Sequence, residues 1–327
     1  LSCSNRAIWE GARLMTKFIG KRLINMVITL FIASIIIFTL TEVMPGDVAQ
    51  MILGQYATPE SLEGLRAQLG LDKPAVVRYG DWIWGVLHGD LGTSLSMKGV
   101  SISSLLVRRG RNSLFLAGCA TIFLVPLSLV VGVIAGLREG SWLDHVISTS
   151  SLIALSLPSF ISGTFLMLIF AIWLKIVPAM SSIEPGANLF RVFPKLILPI
   201  ITVSLVLLGY VARMVRASVI DASHSDYART AVLKGLPQHK VVWHILRNAL
   251  MPTVTVIAMN LGWLIGGLVI VETLFAYPGL GRLVYVAIQR QDIPLIQASV
   301  LLTSAVYLLL NLASDVIYTF LDPRIRY

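Results

Sequence analysis

Few side chains in this sequence are arranged for chemistry. His224, His239 and His244 share one polar interval. Their spacing does not bring imidazoles onto one helix face, so they read as solvated surface histidines and no metal site is expected. Cys3 and Cys119 are the only cysteines, one near the N-terminus and one inside an apolar run. They have no ligand spacing, and a disulfide is not expected. No G-x-x-x-x-G-K-[ST] phosphate loop occurs, nor does H-E-x-x-H or G-x-S-x-G. Catalytic residues are therefore not expected, nor is a directly bound cofactor. Glu42, Glu272 and Asp315 sit at the edges of apolar runs, whereas ion-coupled carriers bury ionisable groups deep in the bundle. A solute moved uphill by such a chain would need energy from elsewhere.

Two stretches carry more promise. In "SLIALSLPSFISGTF", residues 151–165, Pro158 frees a backbone carbonyl, and Gly163 is expected to loosen packing. Ser156, Ser159, Ser162 and Thr164 place small polar groups near the break. The functional reading is a kinked helix lining a solute path, with Ser156, Pro158, Ser159 and Ser162 as candidates. Ordinary small-residue helix packing is the alternative. The second stretch is "SHSDYARTAVLKGLPQHKVVWHILRNALMP", residues 223–252, polar and cationic in an oily chain. Ser223 to Asp226 matches the S-x-x-D capping pattern, and Asp226 suits the positive end of a helix dipole. Ala228, Ala231, Val232 and Gly235 fall at helical spacing and predict a small-residue stripe that another surface could approach closely. Gly235 suits a left-handed helix end and Pro237 the first turn of the next helix. Val241, Val242, Ile245, Leu246 and Ala249 would line one face of that second helix. The interval thus predicts two short helices meeting at a corner built for docking, as against a solvated loop.

The elements around these stretches are apolar. Hydrophobic residues make up 56 % of the 327 and charged residues 13 %, against about 25 % in soluble proteins. The mean hydropathy is +0.81. Six windows contain no Asp, Glu, Lys or Arg: 23–41, 112–137, 146–174, 196–212, 248–271 and 293–314. A membrane-crossing helix needs about 20 residues. The fourth window reaches that length if the helix runs past a snorkelling Arg213. The expectation is an all-α membrane protein of six transmembrane helices, with spans near 112–137, 146–174, 195–217, 249–271 and 296–318 after a first span at 23–43. That first run is longer than a signal-peptide core and has no A-x-A site. Met15 could serve as the natural start.

Lysine and arginine set the expected orientation. Residues 1–22 carry Arg6, Arg13, Lys17, Lys21 and Arg22. The interval 218–248 and its flanks carry Arg213, Arg216, Arg229, Lys234, Lys240 and Arg247. Both are placed in the cytoplasm, together with the tail 322–327. Arg108, Arg109 and Arg111 oppose this, but they are read as the end of a roughly 70-residue external loop, 44–111, and long loops translocate largely regardless of charge. Within it, 58–71 predicts a short helix capped by Thr58 or Ser61, and Trp82 and Trp84 suit a lid or an interfacial anchor. Loop 272–292 shows turn chemistry at Pro278-Gly279 and Gly281. The net charge of +9 fits cytoplasmic loops facing anionic lipid; nucleic acid is not expected, because no basic patch is interleaved with aromatics.

The polar interval also carries a resemblance. "DYARTAVLKG" followed by "RNALMP" resembles the EAA loop of permeases of ATP-driven (ABC) importers. Arg229-Thr230-Ala231 stands where the family has Glu-Ala-Ala, and Gly235 where it has its glycine. "MPGD" (44–47), "LGLDKP" (69–74), "HGDLGTS" (88–94), "SLPSF" (156–160), "YPGLGRL" (277–283) and "LDPRIRY" (321–327) are similar to the dipeptide/oligopeptide/nickel branch, from about residue 18 onward. The resemblance implies a type I importer permease fold with a core over 112–321, in the bacterial inner membrane. It implies a heterodimer with a second permease, two ATP-binding subunits that use the ATP, and an extracytoplasmic solute-binding protein. Asp226, Tyr227, Ala228, Arg229, Thr230, Ala231, Lys234, Gly235 and Pro237 would then form the ATPase-coupling segment. Peptides are the implied solute, with nickel complexes, glutathione or oligosaccharides as alternatives. An ATP-independent secondary transporter or channel, a membrane enzyme and a membrane sensor are the rival classes.

Overall fold

A computed structural model describes residues 2–43, 50, 58–68, 70, 72–97, 99–183 and 193–321. The motif "MPGD", parts of "LGLDKP" and all of "LDPRIRY" beyond Leu321 lie outside the described residues, as does the tail 322–327. The described chain is helical. Its helices are α1 (Ser2–Val43), α2 (Pro59–Gln68), α3 (Ala75–Leu87), α4 (Ile102–Leu137), α5 (Trp142–Ser156), α6 (Ser159–Leu166), α7 (Phe193–Ser223), α8 (Asp226–Leu233), α9 (Gln238–Leu274), α10 (Leu280–Gln289) and α11 (Ile293–Leu321). A π-helical segment, Met167–Trp173, continues from α6. The only β pairing among the described residues is an isolated bridge, Thr93 with Ser101.

Four of these helices are long and apolar enough to cross a membrane, or five if the bent pair α5–α6 counts as one span. In addition, α9 encloses the charge-free window 248–271. The third window departs from expectation. It is not one kinked helix: α5 and α6 meet at 110° across Leu157–Pro158. The cause is local. Proline has no N–H to continue the ladder, and it drives the preceding residue out of the helical region; Leu157 has ψ 123. Helix α4 departs too. It begins ten residues before its apolar window, so Arg108, Arg109 and Arg111 stand on its opening turns rather than at the end of a loop. Backbone hydrogen bonding continues past the edge of an apolar run wherever water can solvate the side chains. Loop 272–292 likewise contains the amphipathic helix α10, with its N-cap at Gly279.

Two compact units divide the chain: Leu1–Asn112 with Gly279–Leu309, and Ser113–Pro278 with Leu310–Tyr327. In the first, Ile102, Leu105 and Leu106 pack with Leu283, Leu295 and Ile296. Thr58 Oγ1 accepts from Ser61 N and caps α2. Trp82 joins Phe38 and Tyr79 in an aromatic group, while Trp84 stays exposed. The Asp292 carboxylate accepts from Ser94 Oγ, Ser96 N and Ser96 Oγ, which ties the 94–97 turn to the start of α11. In the second unit α7 is the central helix, packed against α5, α6, α8 and α9. Its buried residues Leu196 to Leu207 join one cluster with Leu116, Leu264 and Phe275. Val211 to Ala222 join a second with α8 and the start of α9.

Candidate functional site

The polar interval begins where α7 stops. The Ser223 hydroxyl donates to Ile220 O at 2.8 Å and the Ser225 hydroxyl to Ala222 O at 2.5 Å. Both serines thus add a second hydrogen bond to carbonyls in the last turn of α7, which also accept from His224 N and Ser225 N. The N-cap of α8 is Ser225, with no side-chain capping bond. The expected S-x-x-D cap at Ser223 is therefore overturned, because α7 runs through Ser223 and the N-cap position falls two residues later. Asp226 does lie in the first turn of α8.

The expected small-residue stripe divides: Val232 and Gly235 are exposed, whereas Ala228 and Ala231 face inward. Ala228 and Ala231 are 2 % and 7 % exposed and pack against Val219, Val241 and Ile245 of the same chain. Their small size lets α8 lie close on α7 and α9. The face left to water carries Asp226, Tyr227, Arg229, Thr230, Val232, Leu233 and Lys234. Val232 and Leu233 are the large apolar members, 61 % and 79 % exposed. Sequence reading missed Leu233, although two aliphatic residues between Arg229 and Lys234 on a short helix were a visible signal. Beside this face runs a groove of about 460 Å³ lined in part by His224, Arg229, Val232 and Leu233.

The corner forms as the sequence predicted. Gly235 has φ +72, the left-handed conformation that glycine adopts without strain. Gly235 N donates to Val232 O at 2.9 Å and Leu236 N to Ala231 O at 3.3 Å. That pair of bonds is a Schellman ending, and it satisfies carbonyls the helix leaves open. Pro237 is the N-cap of α9, one position before its first turn, with φ −63. Val241, Ile245 and Ala249 are buried on one face of α9, and Val242 and Leu246 are half-buried.

The second set of candidates surrounds the α5–α6 break. Ser156 is exposed at the end of α5 and donates to Leu152 O at 2.9 Å. Pro158 is the N-cap of α6, Ser159 is half-buried, and Ser162 lies one turn on. Ser162 is 7 % exposed and its hydroxyl has no hydrogen-bond partner among the described residues. Gly163 does not loosen the packing. A Cβ there would stand 2.6 Å from Leu274 Cδ2 and 2.9 Å from Thr202 Cγ2, so glycine allows close approach. Glu272, near the end of α9, is fully buried and accepts from Ser113 Oγ at 2.5 Å. Just beyond α9, burial pushes the Tyr277 phenol well above its usual range, and the Glu272 charge adds to the shift. No group of three or more His, Cys, Asp or Glu suited to a metal occurs among the described residues.

The fold and these stretches define a class: a multi-pass helical membrane protein with a short, capped, partly apolar helix projecting at a polar corner. A family profile described as the inner membrane component of binding-protein-dependent transport systems matches residues 128–327, and its N-terminal companion matches 15–99. The chain belongs to this family. A Brucella melitensis biotype 1 protein assigned to a peptide transport system as its permease is 35 % identical over 315 residues, covering 96 % of this chain and all of the relative. A Sinorhizobium fredii protein, y4tP, assigned as a peptide ABC transporter permease, is 36 % identical over 314 residues with the same coverage. The glutathione transport system permease GsiC of Shigella flexneri serotype 5b is 35 % identical over 314 residues, again with the same coverage. The resemblance carried by the polar interval is thereby borne out. The chain is an inner-membrane permease component, and its family works with a solute-binding protein and ATPase partners.

Proposed function

We propose that this chain is one of two permeases of an ATP-driven importer that carries di- or oligopeptides inward. Six spans are proposed: α1, α4, the bent α5–α6 pair, α7, α9 and α11. Both termini would face the cytoplasm, in line with the cations of residues 1–22 and of the α8 region. A second, similar permease completes the pathway, and two separate subunits hydrolyse the ATP. The observation that carries the reading is the α8 corner. A capped helix with exposed Tyr227, Val232 and Leu233, ringed by Asp226, Arg229, Thr230 and Lys234 and stopped by Gly235 and Pro237, is a surface shaped for a protein partner. Ala228 and Ala231 serve it from beneath. Ser156, Pro158, Ser159 and Ser162 are proposed to line the solute path. The chain itself binds no metal or cofactor on this reading.

Glutathione is a second reading for the solute, because relatives named for peptides and for glutathione match this chain at the same identity, 35 %, over 315 and 314 residues. The test is reconstitution of the chain in proteoliposomes with its partner permease, ATPases and binding protein. Uptake of a labelled dipeptide should require ATP and the binding protein, and competition by glutathione would separate the two solutes. Uptake by this chain alone, without nucleotide, would establish an ATP-independent carrier instead.

A further inference from the structure

The α4–α5 turn and the end of α7 are fastened together by groups that the proposed function does not use. Asp144, in the first turn of α5, is 2 % exposed. Its carboxylate accepts both prongs of the Arg216 guanidinium, Nε to Oδ1 at 2.5 Å and Nη2 to Oδ2 at 2.8 Å. It also accepts from Gly140 N at 3.0 Å and from the Ser148 hydroxyl at 3.2 Å. The Asp144 N–H donates to Ser141 Oγ, which caps α5. In the same turn Glu139 meets His224 Nε2 at 3.2 Å, and His224 is the first residue after α7. Close backbone contact supports these bonds. A Cβ at Gly136 of α4 would stand 2.7 Å from Val219 Cβ and 3.0 Å from Arg216 O.

Asp144 is buried while Arg216 keeps 30 % of its side chain exposed; desolvation of the carboxylate offsets much of the Coulomb gain, so the pair is a weak source of stability, and the best-attested use of such a pair is to fix register. The guanidinium fork fixes angle as well as distance, which a lysine cannot do. The location gives that rigidity a use. Arg216 lies seven residues before the end of α7, about 10 Å at ~1.5 Å per residue, and α8 follows directly. Asp144 lies at the far end of α5 from Ser156, about 18 Å away at ~1.5 Å per residue. A displacement of α8 carried by α7 would reach the start of α5 through Asp144, beyond the close α5–α7 packing at Gly209 and Ser151, and α5 would carry it to the Leu157–Pro158 corner.

We infer that Asp144 and Arg216 are positioning residues for transport: they make the end of α7 and the whole of α5 move as one body, so that a push on α8 reaches the path. This rests on the proposed docking of ATPases at α8. The test uses the complete reconstituted transporter carrying Asp144→Asn or, separately, Arg216→Lys, which keeps the charge and loses the fork. Three quantities are read: co-purification of the ATPases, basal ATP hydrolysis, and hydrolysis stimulated by the solute-loaded binding protein. Both variants should assemble and keep basal hydrolysis within about twofold. Stimulated hydrolysis and uptake should fall about tenfold in Asp144→Asn and less in Arg216→Lys. An unchanged ratio of stimulated to basal hydrolysis in both variants overturns the inference. So does failure of both to assemble, since the pair would then be only structural. If instead the unsubstituted complex shows no stimulation, the proposed function fails, and the two failures are thereby distinguishable.

Discussion

Two corners interrupt the helices of the second unit, and both are marked by proline. At Gly235-Leu236-Pro237 the polar groups are satisfied: a Schellman pair closes α8, Pro237 opens α9, and Ala228, Ala231, Val241 and Ile245 bury the inner faces in one cluster. At Leu157–Pro158 the backbone is bonded much as at Pro237, with Pro158 O accepting from Ile161 N and Ser162 N, and neither proline provides a side-chain cap. The difference lies just beyond: the Ser162 hydroxyl is buried with no hydrogen-bond partner among the described residues, and the helix passes into a π-helical segment within eight residues. A non-glycine residue, Lys175, then takes φ +54. Unmet polar groups and irregular backbone cluster where a protein changes shape, whereas a fully bonded corner moves as a unit. On the proposed reading the polar corner receives the push and the apolar corner bends under it.

The largest effect that would break this contrast is expected at Gly235. Nothing lies within 4 Å of a Cβ built there, so a side chain meets strain rather than a clash. A left-handed backbone costs an L-residue about 1–2 kcal/mol. Gly235→Trp adds bulk on the exposed side of the corner and should reduce co-purification of the ATPases and stimulated hydrolysis more than tenfold. Gly235→Asn should lose far less, because asparagine tolerates this conformation. Intact assembly and stimulated hydrolysis in Gly235→Trp would remove the docking assignment. The next effect is expected at Pro158. Pro158→Ala restores an N–H and lifts a helix-breaking penalty of about 3 kcal/mol, drawing α5 and α6 toward one continuous helix. Uptake should drop several-fold while ATPase assembly stays intact. Uptake at the unsubstituted rate would mean that the break plays no part in transport.

The two corners were not equally legible in the sequence. Gly235 and Pro237 announced theirs, because few residues take a left-handed turn and proline cannot continue a helix. Pro158 announced a break but not its size, since 110° depends on how α6 packs on α7 and α9. Periodicity placed Ala228 and Ala231 on one face but could not say which way that face points. Small side chains serve a tight core and an open docking surface equally well. The S-x-x-D pattern failed because α7 runs on through Ser223, which leaves Ser225 at the N-cap of α8. Charge located the ends of apolar runs, not of helices, which is why α4 starts earlier than its window. The Asp144–Arg216 pair spans 72 positions, and no local pattern connects its members.

The smallest effects sharpen the contrast most cleanly, because they alter one hydroxyl each. A serine that truly caps a helix costs about 1 kcal/mol when replaced by alanine. Ser225 occupies the N-cap of α8, yet its hydroxyl points back to Ala222 O, so Ser225→Ala should shift stability by less than about 0.5 kcal/mol in a detergent thermal melt. Ser162 differs in sign. Its hydroxyl is buried and unpartnered, and leaving such a group unsatisfied costs about 1–3 kcal/mol, so Ser162→Ala should leave the protein as stable or more so. If the hydroxyl serves the passing solute, uptake should fall modestly in the same variant. A more stable permease that carries less would identify Ser162 as a group kept for transport at the expense of packing. A loss of stability in Ser162→Ala would show that the hydroxyl is structurally engaged and would return the apolar corner to the same footing as the polar one.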